Sequence, residues 1–169
     1  MNAPFPIRRA TPSDAASLAR LAEATFTETF GHLYPPEDLA EYLSRNCTPD
    51  SCRTLLEDPN VGVWLVGSEP VGFITAGLCK LPIENREPRA GEIRQLYVLS
   101  THQNERLGSK LLDAAFDWLA EQQLSPLYIG VWSENFGAQR FYARRGFVKV
   151  GEYVFPVGKT LDQEFILKR

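Results

Sequence analysis

The sequence predicts an α/β fold, a mixed central β-sheet carrying helices on both faces. Two strand-to-helix units follow one another in the second half of the chain, and β-rich runs joined by short turns surround them. In the first unit residues 92–98 read as a strand, residues 99–102 as a turn, and an amphipathic run then extends to Glu121. In the second, the β-rich residues 128–132 lead through Ser133, Glu134 and Asn135 into a short helical pattern that closes at Arg145, Gly146 and Phe147. At 169 residues, 44% hydrophobic and 23% charged, the chain has the size and composition of one domain spanning 1–169.

The remaining elements are read in order. Residues 7–10 form a first strand, and Thr11, Pro12, Ser13 and Asp14 supply turn and helix-start chemistry before a helix over 15–24. The helical signal weakens over 26–34, Pro35 and Pro36 punctuate it, and a second helix covers 37–45. Residues 61–66 and 71–78 are β-rich and joined by the turn residues 67–70, a hairpin. The polar stretch 82–89, with two prolines, is a loop inside the domain. Residues 148–155 and 163–167 are closing strands joined through 156–160.

The helix after the first unit carries Leu107, Leu111, Leu112, Ala115, Phe116, Trp118 and Leu119 at three- to four-residue steps, which makes one apolar face. Its start is a candidate anion site, because the first N–H groups of a helix lack intrahelical partners and the peptide dipoles point there. Gly108 in the first turn removes side-chain bulk, so a pyrophosphate can approach the backbone. The ligand implied is a phosphorylated cofactor, although an ordinary strand-to-helix turn would carry the same residues. In the second unit Asn135 is an N-cap, Gly146 stands where a left-handed C-cap is wanted, and Phe147 supplies the apolar contact after it.

Composition excludes several classes. A net charge of −3 and a pI near 5.5 argue against nucleic-acid binding, which needs clustered Lys and Arg. Mild acidity is compatible with a cationic substrate without requiring one. No apolar run approaches a membrane span, and the first nine residues lack the apolar core of a secretion signal, so the expectation is a cytoplasmic protein with no membrane partner. Cys47, Cys52 and Cys79 form no Cys-x-x-Cys pair, and only His32 and His102 could accompany them, which argues against a zinc site or a disulfide framework.

The string Gln103-x-x-x-x-Gly108 resembles the Gln/Arg-x-x-Gly-x-Gly/Ala acyl-CoA signature of the GNAT N-acetyltransferase superfamily. The run Asn135-x-x-Ala138-x-x-Phe141-Tyr142-x-x-x-Gly146-Phe147 resembles its second motif, in the family's order and at its usual separation. Further stretches are similar to the PaiA-type polyamine acetyltransferases: Thr25-Phe26-x-x-Thr29-Phe30, Pro36-Glu37-Asp38-Leu39-x-x-Tyr42-Leu43 and Gly130-Val131-Trp132. The chain departs from the family at Arg106, where the first glycine usually stands. A backbone N–H survives that change, but the conformation is restricted. Arg106 reads either as a phosphate ligand or as a plain first-turn arginine, with Glu105 beside it unfavourable to a polyanion; cofactor affinity is the property in question.

The resemblance implies the GNAT fold, acetyl-CoA as co-substrate without a metal, and transfer of acetyl to a small-molecule amine such as spermidine or spermine. It also implies a homodimer as a common arrangement. Cofactor contacts fall on Leu96, Tyr97, Val98, Gln103, Asn104, Glu105, Arg106, Leu107, Gly108, Ser109, Asn135 and Ala138. Within that set the Leu96 N–H would stabilise the oxyanion and Val98 would bond the pantetheine amides. The resemblance also implies two catalytic residues. Glu92 would be the base, needed because only about one alkylamine in 10³ is neutral at pH 7, or else is a strand-end carboxylate satisfied by Arg94 or by solvent. Tyr142 is the acid for the departing thiolate, or else a packed aromatic beside Phe141 and Phe147. Asn135 bonds pantetheine or only caps its helix. Glu28, Glu37, Asp38 and Glu41 are carboxylates available to remote ammonium groups, each equally readable as a solvated helix charge. The alternatives are acetylation of peptide or protein N-termini, or a non-catalytic acyl-CoA-binding module.

Overall fold

The computed structural model describes residues 5–169, so the part of the chain-start reading that rests on residues 1–4 lies outside it. Seven strands make one sheet: β1 (Ile7–Arg9), β2 (Val61–Val66), β3 (Gly72–Leu78), β4 (Gly91–Val98), β5 (Leu127–Trp132), β6 (Val148–Val157) and β7 (Thr160–Lys168), in the order β1-β2-β3-β4-β5-β7-β6. Every neighbouring pair is antiparallel except β4 and β5. Helices α1 (Ala15–Phe30), α2 (Pro36–Asn46) and α3 (Pro49–Glu57) cover one face, where Leu18, Leu21, Leu65 and Phe73 are buried. On the other face α4 (Leu107–Glu121) and α5 (Phe136–Arg144) bury Leu111, Leu112 and Tyr142 against Ile74 and Ile93. This is the expected mixed sheet with helices on both faces. Among the described residues no helix is long and apolar enough to cross a membrane. The three cysteines are buried free thiols, and burial pushes Cys47 up to about 11.

Several boundaries differ from expectation. The first helix continues to Phe30, because Thr25 and Thr29 turn their hydroxyls back to the carbonyls of Leu21 and Thr25 at 2.8 Å and Phe26 stacks on Tyr42 at 4.1 Å. Tertiary packing outweighs weak local propensity there. Helix α3 was not anticipated, although Thr48 accepts the Ser51 N–H at 3.1 Å and Pro49 fills the first turn. Strands β6 and β7 are longer than expected and meet in a two-residue turn, since Val157 pairs with Thr160. Gly158 in that turn has φ +59, and a Cβ there would overlap Asp38. Asp38 accepts the Lys159 N–H at 3.0 Å and the Thr160 hydroxyl at 2.5 Å, pinning α2 to the hairpin. Those donors hold its carboxyl below the usual range.

Two irregularities of β4 shape the site. Thr75 pairs with Gln95 and Ala76 with Ile93, so Arg94 is the extra residue of a β-bulge. Ile93 and Leu96, an odd number of residues apart, therefore both pack into the α4 core, which a regular strand forbids. Strands β4 and β5 pair only at Gly91 with Leu127 and Glu92 with Tyr128. Beyond those residues no ladder joins them, and the sheet opens.

Candidate active site

A cleft of about 710 Å³ lies where the sheet opens. From β4 it is lined by Leu96, Tyr97 and Val98, and from the tight 3₁₀ segment Ser100–Glu105 by Gln103 and Asn104. Arg106, Gly108 and Ser109 form its floor at the start of α4, and Asn135, Ala138 and Tyr142 face them from α5. Three predicted residues lie off this cleft: Glu105 is exposed, Leu107 is a core side chain 1% exposed, and Glu92 sits elsewhere. Leu107 could contribute only its backbone N–H.

The helix start offers unpaired donors to the cleft. The Lys110 N–H already reaches the Arg106 carbonyl at 3.3 Å, which leaves the N–H groups of residues 107–109 without intrahelical partners. Arg106 takes the left-handed conformation, φ +58 and ψ +24, which a glycine would adopt without strain. A Cβ on Gly108 would come no closer than 3.9 Å to Phe141, its nearest neighbour, so the space above this turn is open. Arg106 and Arg144 bring positive charge to the cleft and Glu28 brings one negative charge, engaged by the Ser100 N–H at 2.9 Å. Gln103 donates to the Val98 carbonyl at 3.1 Å, tying the turn back to the strand. Free N–H groups, guanidinium charge and an open glycine turn fit a diphosphate.

Tyr142 is held by its own helix ending. Gly146, at φ +89, closes α5 with bonds from the Gly146 N–H to Ala143 and from the Phe147 N–H to Tyr142, both 3.1 Å. The Phe147 ring then packs on Tyr142 at 5.7 Å. Tyr142 is 6% exposed, and burial pushes its phenol well above the ordinary value, so the group stays protonated at neutral pH. Its ring is core, as the packing reading expects, and its side chain also lines the cleft, where a proton donor would have to stand. Asn135 caps α5 by accepting the Ala138 N–H at 3.1 Å.

A second cavity, about 160 Å³, shares Leu96, Tyr97, Asn135, Ala138 and Tyr142 with the first, so the two meet at Tyr142. Its walls are aromatic: Phe30 packs edge-on against Trp132 at 5.8 Å, with Tyr34, Tyr42 and Phe155 around them. Glu164 of β7 enters this cavity, and burial, with Asp162 nearby, pushes its carboxyl up to about 7. Phe30, Tyr42 and Trp132 fall in the PaiA-like stretches of the sequence, whereas Glu164, Tyr34 and Phe155 were not singled out there. The available signal was the alternation of Asp162, Glu164 and Ile166 on one face of β7, where Ile166 is buried.

Glu92 lines an adjoining hollow of about 280 Å³ with Lys80, Arg94, Gly130, Tyr153 and Phe155. It is 7% exposed; Oε2 accepts the Lys80 N–H at 2.8 Å and stands 4.0 Å from Arg94 Nε. Burial raises its carboxyl, and the Lys80 hydrogen bond and the Arg94 charge oppose that rise. Arg94 donates from Nη2 to the Leu78 carbonyl at 2.8 Å, while its buried Nε has no partner among the described residues. Arg94, Gly130, Tyr153 and Phe155 line both this hollow and the aromatic cavity, so the two adjoin, with Glu92 in the first and Tyr142 in the second.

The sequence model of the acetyltransferase (GNAT) family matches residues 16–147, a stretch that contains both motifs and the opened sheet. The chain belongs to the GNAT family. It is an acetyl-CoA-dependent N-acetyltransferase. This GNAT enzyme is 28% identical over 165 residues to an uncharacterized N-acetyltransferase of Lactobacillus delbrueckii, covering 96% of this chain and 95% of that one. It is 30% identical over 139 residues to one of Archaeoglobus fulgidus, covering 81% and 88%. Its fold is similar to that of the PaiA N-acetyltransferase of Thermoplasma acidophilum, solved with coenzyme A. The TM-score is 0.81 at 16% identity, over 100% of this chain and 99% of that one.

Proposed function

We propose that this GNAT acetyltransferase acts on a small primary amine of the polyamine kind, such as spermidine or spermine. The observation that carries the reading is the meeting at Tyr142 of an anion-binding cleft with an aromatic cavity that contains a carboxylate. Aromatic faces attract cations and pack against methylene stems, and carboxylates select ammonium groups. The likeness of residues 25–30, 36–43 and 130–132 to the PaiA-type enzymes points the same way. Glu92, in the adjoining hollow, is available to a second ammonium group. Asp38 is consumed by the β6–β7 hairpin and is not counted among the recognition groups.

Acetyl-CoA, when bound, supplies a thioester carbonyl and a thiolate leaving group. The chain's part is to hold the diphosphate at the N–H groups of residues 107–109 with Arg106, and to offer the backbone of Leu96 and Val98 along the cleft. Hydrogen-bond donors fixed beforehand lower the barrier because they need no reorganisation as charge develops. Tyr142, protonated at neutral pH, delivers a proton to the sulfur.

The test is release of free coenzyme A from acetyl-CoA with spermidine, spermine, a simple monoamine and a peptide N-terminus as acceptors. Polyamines are expected to give a kcat/KM at least about tenfold above the peptide, a margin of about 1.4 kcal/mol. Preference for the peptide would overturn the substrate assignment and leave the acetyl-transfer chemistry standing.

A further inference from the structure

We propose that Glu164 is the catalytic residue that receives the acceptor's ammonium and removes its proton, and that the acceptor is a primary alkylammonium whose apolar stem lies between aromatic rings. The proposal rests on the reading of this protein as an acetyltransferase of small amines. Glu164 shares a cavity with Tyr142, whereas Glu92 does not. Strand register puts Glu164 opposite Trp132 on β5 and Tyr153 on β6, so it sits in the middle of the sheet's open arm rather than at its rim.

Its carboxylate is also the uncommitted one. Asp162, on the same face of β7, accepts the Tyr34 hydroxyl, and Glu92 accepts the Lys80 N–H. The Glu164 carboxylate accepts no hydrogen bond among the described residues, and only burial and Asp162 act on its titration. The groups facing it are Tyr34 and Tyr42 from the α1–α2 side, Arg94 and Tyr97 from β4, Tyr142 from α5 and Tyr153 from β6. Burial raises all five phenols, so they stay neutral, and Arg94 and Asp162 are the charges nearby. A half-desolvated carboxylate poised at about 7 can take a proton from an ammonium and return it to solvent near neutral pH.

The proton balance closes. Glu164 takes one proton from the ammonium, and the freed nitrogen lone pair forms the C–N bond to the thioester carbonyl carbon as the C–S bond breaks. Tyr142 gives its proton to the sulfur and recovers the surplus proton of the new amide nitrogen. Glu164 then releases its proton to water.

The test is the pH profile of kcat/KM for an active primary alkylamine. Wild type is expected to show an acidic limb near 7, from Glu164, and a basic limb near the acceptor's own value of about 10.4. Glu164→Gln should lower kcat/KM by about 10²-fold or more and remove the acidic limb, with coenzyme A affinity unchanged by calorimetry. Glu92→Gln should keep the limb. The proposal is overturned if Glu164→Gln keeps the wild-type profile, or if Glu92→Gln is the variant that loses the limb. Should Glu164→Gln fail to bind coenzyme A, Glu164→Asp decides: a slower enzyme with a displaced limb is expected, and an unchanged profile overturns the proposal. Failure of the underlying reading looks different, because wild-type protein that binds coenzyme A but acetylates no amine overturns both before any variant is made.

Discussion

The N–H of Phe147 donates to the carbonyl of Tyr142 across 3.1 Å, and that bond closes the helix carrying the proposed acid. Gly146 makes it possible by adopting φ +89, so a residue without a side chain fixes where a phenol meets the cleft. A Cβ at 146 would find only the Arg169 side chain, no closer than 3.7 Å, so the obstacle to substitution is conformational rather than steric crowding. Gly146→Ala should therefore cost about 1–2 kcal/mol in urea unfolding. It should also lower kcat more than it weakens coenzyme A, because the helix end moves while the start of α4 does not.

Tyr142→Phe separates chemistry from packing. The ring sits between Phe141 at 5.2 Å and Phe147 at 5.7 Å, and a phenylalanine keeps both contacts. The hydroxyl makes no hydrogen bond within the described residues, so its removal should change unfolding free energy by less than about 1 kcal/mol. An enzyme that uses this proton should lose about 10²-fold or more in kcat while binding coenzyme A as before. Wild-type turnover in the variant would remove Tyr142 from the mechanism.

How much of this was legible beforehand depended on the range of the signal. The start of α4 and the stop at Gly146 are local devices, a few residues long, and could be read from glycine, asparagine and apolar spacing. The bulge at Arg94 could not be placed from its own strand. It exists because Ile93 and Leu96 both find room in the α4 core, a fact about the partner surface. Glu164 was missed for a similar reason: its register opposite Trp132 is set by pairing between β5 and β7, over 30 residues apart in sequence. Helix α3, also not expected, differs from these because its Thr48 and Pro49 start is a local signal present in the sequence.

Arg106 occupies a left-handed position in the cleft at the start of α4, where the proposed diphosphate would lie, so its replacement has two opposed effects. Arg106→Gly should stabilise the protein without ligand by about 1 kcal/mol, because the strained backbone is relieved. The same change removes a cation from the cleft and should weaken coenzyme A several-fold. Titrations at about 50 and 300 mM salt should show a shallower salt dependence in the variant, since screened charge is what was lost. An unchanged affinity at both salts would make Arg106 an ordinary first-turn residue.

Glu164 should leave a signature in stability as well as in rate. Its carboxyl is pushed up to about 7 in the folded protein from 4.5 when unperturbed. Between those two values the folded state holds more protons than the unfolded state, so this group makes stability fall as pH rises through the window. Above about 7 the full cost of a desolvated carboxylate is present; below 4.5 there is none. Glu164→Gln carries no charge at any pH and should be more stable than wild type at pH 8 by about 1–2 kcal/mol, after allowing for solvent reaching the side chain. Near pH 4.5 the difference should shrink to a few tenths. Glu92, also raised by burial, contributes a slope of the same sign but is present in both proteins and cancels in the comparison. Urea unfolding of the pair at the two pH values measures the difference, and a gap independent of pH would mean that Glu164 carries no desolvation cost. A stability gain at pH 8 that accompanies loss of turnover would mark this carboxylate as kept in the cavity at the expense of the fold, which is the pattern expected of a group retained for chemistry.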